Sequence, residues 1–355
     1  MQYVKRIIQA GAGTGKTKLL IDNALQLVNQ GKVLYLTYTK NNLKSMKQDI
    51  ILQEGIVPQK VVCKTWQEFL YNELAKPYRK MAEMPKIEGL DFRVEGKIPR
   101  RRGVTKDSFL YYFNSKNELY SERLAQFCCK VNEIVDGKVF NRLQKIYTTI
   151  LIDEIQDMNG YDLDILHCIY NLDCNVIIVG DNRQATYSTN HSRRHTQYKN
   201  DKIFNFFRQV MGVHEIEKLE ICYRCNQEIC DFVNQLFENL NLTSARTEIL
   251  SKENGIFIIK TVDELVAYIH RYMPTILSYN KNGLKKIETL ELEVYPETMT
   301  FGSSKGLTRD RVLILPTAEM KKHALGKNFN LSPTTLAKYY VAVTRARNSV
   351  AIYVG

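Results

Sequence analysis

Short apolar runs alternate with longer amphipathic segments over most of this chain, and the alternation predicts strands interleaved with helices. In the first part, strands are predicted at 4–8, 33–37, 61–64, 149–152 and 175–180, and a helix at 18–29. In the second part, strands are predicted near Leu219 and at 255–260, 298–301, 311–315 and 350–354, with helices at 226–237, at 262–272 and ending near Thr344. This order favours an α/β fold with parallel central sheets covered on both faces.

The alternation stops between residues 71 and 147. The stretch 76–106 contains ten basic residues, four acidic residues and three prolines, and it includes the run Arg100-Arg101-Arg102. A mostly helical pattern returns from 107 to 147. We therefore interpret 71–147 as a basic, helical insertion in the first of two tandem domains, 1–213 and 214–355.

The charge balance suggests a class of partner without deciding it. Lys and Arg number 50 against 38 Asp and Glu, a net charge of +12. Such a balance favours a polyanionic partner, although a solvated basic surface explains it equally well. A second short basic run, His191-Ser-Arg-Arg-His195, favours a solvated loop.

No apolar run is long enough for a membrane span and the first residues lack a secretory signal, so we expect no membrane partner and a cytoplasmic location.

The eight cysteines are too few for a disulfide scaffold in a chain of 355 residues. Cys222 and Cys225 have the spacing of metal ligands, and Cys230 follows closely. No second pair or nearby histidine stands at ligand spacing, so small core residues are the favoured interpretation over a metal site.

The segment Ala10-Gly-Ala-Gly-Thr-Gly-Lys-Thr17 lies between a predicted strand and a predicted helix, which is the context of a phosphate-binding loop. Backbone N–H groups of such a loop point at the β-phosphate, helped by the dipole of the following helix. Lys16 would neutralise β/γ-phosphate charge, and the Thr17 hydroxyl would bind Mg²⁺. The residues predicted to hold the nucleotide are Gly11, Ala12, Gly13, Thr14, Gly15, Lys16 and Thr17.

Two adjacent carboxylates, Asp153 and Glu154, end the apolar run 150–152. Adjacent side chains at a strand end point in different directions. Asp153 is therefore predicted to hold Mg²⁺, and Glu154 to orient and deprotonate the attacking water.

Taken in order, these motifs resemble those of superfamily 1 helicases of the UvrD/Rep group. Asp153-Glu-x-Gln-Asp157 resembles the DExQD box, and 36–41 and 64–66 resemble segments that touch single-stranded DNA. The segment 179–187 is similar to the GDxxQsIY box, 222–225 to the nYRs motif, 300–307 to the TxHsaKGLE box, and 340–346 closely to the YVAvTRA motif.

This resemblance implies two RecA-like P-loop domains with ATP and Mg²⁺ between them. Gln184 would sense the γ-phosphate, and Arg224 and Arg345 would act as arginine fingers, a role that suits a planar, permanently charged guanidinium. Tyr223 and Lys18 would lie on the two faces of the adenine, and Gly306 would lie beside the nucleotide. The residues expected to contact nucleic acid are Thr37, Tyr38, Thr65 and Ser303.

The chain departs from the family pattern in three places. Ser188-Thr189-Asn190 stand where relatives carry a base-stacking aromatic. Gly302 and Thr308 replace the His and the closing Glu of the TxHsaKGLE box. Only a short connection separates 282 from 297, where relatives insert a large helical domain.

The resemblance leaves alternatives open. The first is an ATP-hydrolysing motor that moves 3′ to 5′ on single-stranded DNA. The second is an ATP-gated regulatory subunit with a protein partner such as a nuclease, as in bacterial antiphage systems, and with little unwinding. A P-loop kinase or a signalling GTPase is a weaker third, because the two distant arginine motifs argue against it.

Overall fold

The computed structural model describes residues 3–93, 95–99, 102–186, 191–238, 241–246, 253–290 and 292–355. They form two compact units. The first comprises Met1–Ile8, Lys16–Gly180 and Tyr187–Glu217, and the second comprises Gln9–Gly15, Asp181–Thr186 and Lys218–Gly355. Two short segments, Gln9–Gly15 and Asp181–Thr186, thus belong to the second unit, although the chain before and after each of them belongs to the first. The proposed boundary at residue 213 remains a prediction.

The described strands are, in chain order, β1 (Lys5–Ala10), β2 (Val33–Thr37), β3 (Val61–Thr65), β4 (Gly89–Asp91), β5 (Glu118–Tyr120), β6 (Thr149–Ile152), β7 (Asn175–Gly180), β8 (Glu217–Leu219), β9 (Ile221–Cys222), β10 (Thr243–Ser244), β11 (Gly255–Ile259), β12 (Thr275–Ser278), β13 (Thr298–Thr300), β14 (Arg309–Leu315) and β15 (Ala346–Tyr353). The described α-helices are α1 (Lys16–Leu27), α2 (Lys40–Glu54), α3 (Trp66–Phe69), α4 (Leu124–Ile134), α5 (Lys138–Ile146), α6 (Tyr161–Tyr170), α7 (Ile203–Gln209), α8 (Gln227–Asn234), α9 (Val262–Tyr272), α10 (Lys281–Glu288), α11 (Ala318–Ala324) and α12 (Pro333–Val343).

The first unit is built on a six-stranded sheet with the order β3-β2-β6-β7-β1-β8. The pairings of β2 with β3, of β2 with β6 and of β6 with β7 are parallel. Strands β2, β6 and β7 are buried along their whole length. This burial is what a sheet covered by helices on both faces requires, and it explains why these strands appear in the sequence as continuous apolar runs.

The predicted insertion lies between β3 and β6 and adds no strand to the six-stranded sheet. Its helices α4 and α5 begin only at Leu124, so the prediction of a helical pattern from 107 was wrong for its first part. That part includes β5, which pairs in parallel with β4. The side-chain oxygen of Asn114 accepts the backbone N–H groups of Lys116 and Glu118, and its amide nitrogen donates to Asp91 at 2.8 Å. These polar contacts replace the hydrogen bonds that a helix would have made. Arg100 and Arg101 lie outside the described residues.

The second unit contains a five-stranded sheet with the order β11-β15-β14-β12-β13, and all its described pairings are parallel. Successive residues of β14 face opposite sides: Val312 and Ile314 pack in one apolar cluster with residues of α8 and α12, whereas Leu313 and Leu315 pack in another with residues of α9 and α10. The alternation follows from the two-residue period of a strand. The predicted α/β fold with parallel central sheets is confirmed. Strand β12 and helices α10 and α11 were not predicted.

Local signals fix several helix ends. The Thr39 hydroxyl accepts the N–H of Asn42 at the start of α2, and that helix ends at Gly55 with φ 78°. Thr261 and Glu264 form a reciprocal capping box at the start of α9. Both arrangements satisfy backbone groups that a helix end leaves unpaired.

Candidate functional site

The glycine-rich loop follows β1 and leads into α1. Gly13 and Gly15 have φ values of 72° and 81°, a conformation that glycine adopts without strain. A Cβ atom on Gly13 would lie 2.7 Å from Cβ of Arg224 and 2.8 Å from Sγ of Cys222, so this close approach also requires glycine. The Thr14 hydroxyl donates to the carbonyl of Gly11 at 2.9 Å. Residues 11–14 of the loop are therefore a compact turn that packs, within the second unit, against the nYRs-like segment.

Tyr340 connects this loop to the GDxxQ-like segment. Its buried hydroxyl accepts the backbone N–H of Ala12 at 2.9 Å and donates to Oδ2 of Asp181 at 3.4 Å. The same Oδ2 atom accepts the side-chain amide of Gln184 at 2.7 Å. A chain of hydrogen bonds thus runs from a loop N–H group to the predicted phosphate sensor. Sequence analysis missed this role of Tyr340, although the residue opens the YVAvTRA-like motif.

The two predicted arginine fingers are held by neutral oxygen atoms within the second unit. Arg345 is 2% exposed, and it donates to the carbonyl of Val341 at 2.9 Å and to Oε1 of Gln184 at 3.5 Å. Arg224 donates to the carbonyl of Thr344 at 3.1 Å. Lys305, which sequence analysis did not single out, donates to the carbonyl of Gln184 at 3.1 Å. The second unit therefore brings Gln184 together with Lys305 and Arg345.

The predicted carboxylate pair lies at the end of β6 in the first unit. Oδ2 of buried Asp153 accepts the hydroxyls of Thr17 and Tyr35, each at 3.3 Å, and Oδ1 accepts the N–H of Glu154 at 2.9 Å. Burial, reinforced by the charge of Glu154, raises the pKa of Asp153 to about 6, against the opposing effect of Lys16. The structure thus brings Thr17 and Asp153 together, as the magnesium prediction requires.

Glu154 has φ 60° and ψ 40°, a left-handed conformation that is costly for a residue with a Cβ atom. Its carboxylate accepts the side-chain amide of Gln156. Backbone strain of this kind is concentrated at functional sites.

Three further residues predicted to lie near the nucleotide have definite positions. Tyr223 is 64% exposed, so its ring is available for stacking. Lys18, at the start of α1, forms an ion pair with Asp22 at 3.1 Å. Gly306 is exposed with φ 87°.

The residues predicted to contact nucleic acid fall into two groups. Thr37 and Thr65 are paired in register at the ends of β2 and β3. The Oγ1 atom of Thr37 is buried without a hydrogen-bond partner in the described part of the chain, whereas Thr65 closes a capping box at the start of α3. Tyr38 is half-buried and follows Thr37 directly. Ser303 lies in the second unit, where its exposed hydroxyl donates to the carbonyl of Thr300 at 2.9 Å. Tyr187 and the segment 188–190 lie outside the described residues.

The cysteines Cys222, Cys225 and Cys230 are all buried, as predicted for small core residues. The N–H of Cys225 donates to Sγ of Cys222 at 3.3 Å. Within the described ranges, no group of three or more His, Cys, Asp or Glu side chains has the geometry of a metal site. Nor does any helix of those ranges have the length and apolar character needed to cross a bilayer.

A glycine-rich loop between a strand and a helix, with a carboxylate pair at the end of another strand of the same sheet, is the arrangement of a P-loop protein. The chain belongs to the superfamily 1 helicases: residues 104–354 match the viral superfamily 1 RNA helicase core domain. Residues 4–190 also match an AAA domain.

Several curated proteins are similar to this chain. The ATP-dependent DNA helicase Rep of Buchnera aphidicola is 22% identical over 282 residues, which are 66% of this chain and 42% of Rep. The probable DNA helicase II homolog of Mycoplasma genitalium is 22% identical over 324 residues, 74% of this chain and 44% of the homolog. The putative ATP-dependent DNA helicase YjcD of Bacillus subtilis is 24% identical over 231 residues, 51% of this chain and 30% of YjcD. The chain therefore spans less than half the length of these relatives.

Among solved structures, an arterivirus nonstructural protein 10 (helicase) in complex with DNA is similar to this chain, with 12% identity and a TM-score of 0.48. The similar region covers 98% of this chain and 60% of the arterivirus chain. A score this low supports no inference about this chain.

Proposed function

We propose that this chain hydrolyses ATP and uses the energy to move on single-stranded DNA. The observation that carries the proposal is the pair Asp153 and Glu154 at the end of β6, with Asp153 hydrogen-bonded to Thr17 of the loop-helix junction. Membership of the helicase family, the names of the relatives and the net charge of +12 support it. The direction of movement, 3′ to 5′, rests on the resemblance to the UvrD/Rep group.

Thr17 and Asp153 would hold Mg²⁺. A hydroxyl and a carboxylate are hard oxygen donors, the kind that Mg²⁺ prefers, and their 3.3 Å separation allows both to face one ion. Only two protein ligands are needed, because substrate phosphates and waters supply the others. The raised pKa of buried Asp153 also fits, since a cation would stabilise the charged carboxylate. When bound, the ion would neutralise charge on the phosphates.

Each remaining group has one proposed role in hydrolysis. Glu154 takes the proton of the attacking water, because a carboxylate can act as a general base and Asp153 is assigned to the ion. Lys16, at the N-terminus of α1, binds the phosphate oxygens. Gln184 and Arg345, already hydrogen-bonded to each other, stabilise the charge that develops on the transferred phosphoryl group. Arg224 adds a second guanidinium, and Tyr223, Lys18 and Gly306 would line the base and sugar.

Nucleic acid would lie along the carboxyl ends of β2 and β3. Thr37 offers a buried hydroxyl without a described partner, and Tyr38 offers a half-buried ring next to it. Thr65 at the neighbouring register position and Ser303 in the second unit complete the proposed contact set. We do not propose the regulatory-subunit alternative, because the relatives described above are named as helicases.

Steady-state ATP hydrolysis with and without single-stranded DNA tests the proposal. We expect DNA to stimulate hydrolysis about tenfold or more, which corresponds to about 1.4 kcal/mol of coupling to the transition state.

Glu154→Gln should lose hydrolysis and still bind ATP, because only the base is removed, whereas Lys16→Ala should lose nucleotide binding. Glu54→Gln, the same change at an exposed residue of α2, is the matched control. Hydrolysis by Glu154→Gln at the parental rate would show that the assigned mechanism is wrong.

A further inference from the structure

An open cavity of about 360 Å³ lies in the first unit, between the insertion and the loop that precedes α7. Lys106, Tyr111 and Arg123 of the insertion form one side. Arg193 and Arg194 form another, and Tyr161 of α6 lies among the lining residues. The volume is within the range of natural ligand sites, roughly 300–1,000 Å³. We call it the arginine cavity.

The lining of the arginine cavity is strongly basic. The basic residues of the lining are Lys106, Arg123, Arg193 and Arg194, whereas Glu122 is the acidic residue among the lining side chains. Glu122 is itself within 3.1 Å of Nδ1 of His191. Lys106 and Arg193 are exposed, and neither side chain has a hydrogen bond or an ion pair within the described part of the chain, although the backbone carbonyl of Lys106 accepts the hydroxyl of Tyr112. Two cations are therefore left to bind an anion that enters the cavity.

Two arginine side chains of the cavity lie over tyrosine rings. The guanidinium of Arg123 is 3.8 Å from the ring centroid of Tyr111, and that of Arg194 is 5.2 Å from that of Tyr161. Arg194 is further fixed by two hydrogen bonds to the carboxylate of Asp164. The run 191–195 is thus anchored by the ion pair of Arg194 with Asp164 and by contacts of His191 and His195 with carboxylates, although its residues at 191, 193 and 194 are exposed as a solvated loop would be. Stacked guanidinium planes and tyrosine rings are surfaces on which unpaired bases stack.

A second cavity of about 440 Å³ adjoins the first and shares Glu122 and Ala125 with it. It is lined by Tyr38, which is a proposed nucleic-acid contact, and by Phe92, whose side chain is 68% exposed. A large exposed aromatic beside a basic cavity is typical of a surface that binds single strands. The two cavities are therefore lined by one continuous surface, which runs from Tyr38 to Arg193.

We propose that the arginine cavity binds one nucleotide of a single-stranded nucleic acid whose neighbouring nucleotides lie along the Tyr38 cavity. Lys106 and Arg193 contact its phosphate, and the arginine-tyrosine stacks hold its base. A single strand is favoured over a duplex, because bases must be unstacked to enter a cavity of this size. This proposal rests on the proposed function and adds to it a contact surface contributed by the insertion.

The test compares two double variants with the same change in net charge. Lys106→Ala/Arg193→Ala removes the two cavity cations, and Lys145→Ala/Arg208→Ala removes two exposed cations of the same unit that do not line the cavity. Binding of a fluorescent oligothymidine is measured by anisotropy over a range of NaCl concentrations. Each phosphate contact to a single strand contributes about 0.7 to the magnitude of the slope of log K against log [NaCl]. Because Lys106 and Arg193 contact the same phosphate, the cavity variant should lose about 0.7 of this slope, and the control should keep the parental slope. ATP hydrolysis without DNA should stay unchanged in both.

The possible outcomes separate this inference from the proposed function. If the cavity variant binds the strand as the control does, the arginine cavity is not on the nucleic-acid path, while DNA-stimulated hydrolysis by the parent would leave the proposed function intact. If the parent itself binds no single strand, both are overturned. If the cavity variant loses as much slope with a blunt duplex as with the single strand, the single-strand assignment is contradicted. The assignment is also contradicted if free thymidine monophosphate displaces the bound strand from the cavity variant as effectively as from the parent.

Discussion

Replacing Tyr340 by phenylalanine would remove one oxygen atom that connects the glycine-rich loop to Asp181. The hydroxyl accepts the N–H of Ala12 at 2.9 Å, and Ala12 is fully buried, so the variant leaves a buried N–H group unpaired. Such a group costs about 1–3 kcal/mol. The bond to Asp181 is long, at 3.4 Å, and adds about 0.5 kcal/mol. We expect the free energy of unfolding without nucleotide to fall by about 1.5–3.5 kcal/mol.

Bound nucleotide should reverse most of this loss. If the N–H of Ala12 turns to a phosphate oxygen when ATP binds, the parent must first break its bond to Tyr340, whereas the variant has no such bond to break. The variant should therefore bind a non-hydrolysable ATP analogue more tightly by about 1–3 kcal/mol, which is at least about fivefold. By linkage, the difference in stability between parent and variant should shrink by the same amount at saturating analogue.

Urea unfolding with and without the analogue, together with direct titration, measures both quantities. Tyr339→Phe is the control, because Tyr339 is the preceding residue of α12 and its buried hydroxyl has no hydrogen-bond partner in the described residues. Loss of that hydroxyl should be neutral or slightly stabilising. The reasoning fails if Tyr340→Phe is destabilised and yet binds the analogue no more tightly than the parent.

Two further predictions concern single side chains. Thr65→Ala removes the N-cap of α3 and should lower the free energy of unfolding by about 0.5–2 kcal/mol in urea titrations, whereas Thr65→Ser should keep the parental value. Equal stability of the two variants would show that the capping box contributes nothing. Burial lowers the pKa of His323 to about 4, below its ordinary value near 6.5. The unfolded chain therefore binds a proton at His323 more tightly than the folded chain does. The stability that neutral His323 contributes is fully present above about pH 6.5 and is lost as the pH falls toward 4. The loss in the free energy of unfolding is at most about 3 kcal/mol. Unfolding of His323→Phe should therefore depend less on pH over this range, and an unchanged pH profile would contradict the assignment.

The strands of the central sheets could be predicted from the sequence, because a parallel strand that is buried on both faces consists of consecutive apolar residues. Strands β2, β6 and β7 were predicted with their observed bounds. The insertion was predicted less well. The residues around Asn114 carry no strong local preference, and their conformation is set by hydrogen bonds to Asp91, 23 residues away in sequence. Local patterns carry no information about such a partner.

The amino-acid sequence by itself determined the order of motifs, the loop at Gly13 and the carboxylates Asp153 and Glu154, because each of these depends on neighbours in the chain. Only the tertiary structure showed that Tyr340 joins Ala12, 328 residues away, to Asp181, 159 residues away. A hydroxyl has no sequence signature for the partner it will find. Its role is decided when packing buries a backbone N–H that must be paired, and that requirement exists only in the folded chain.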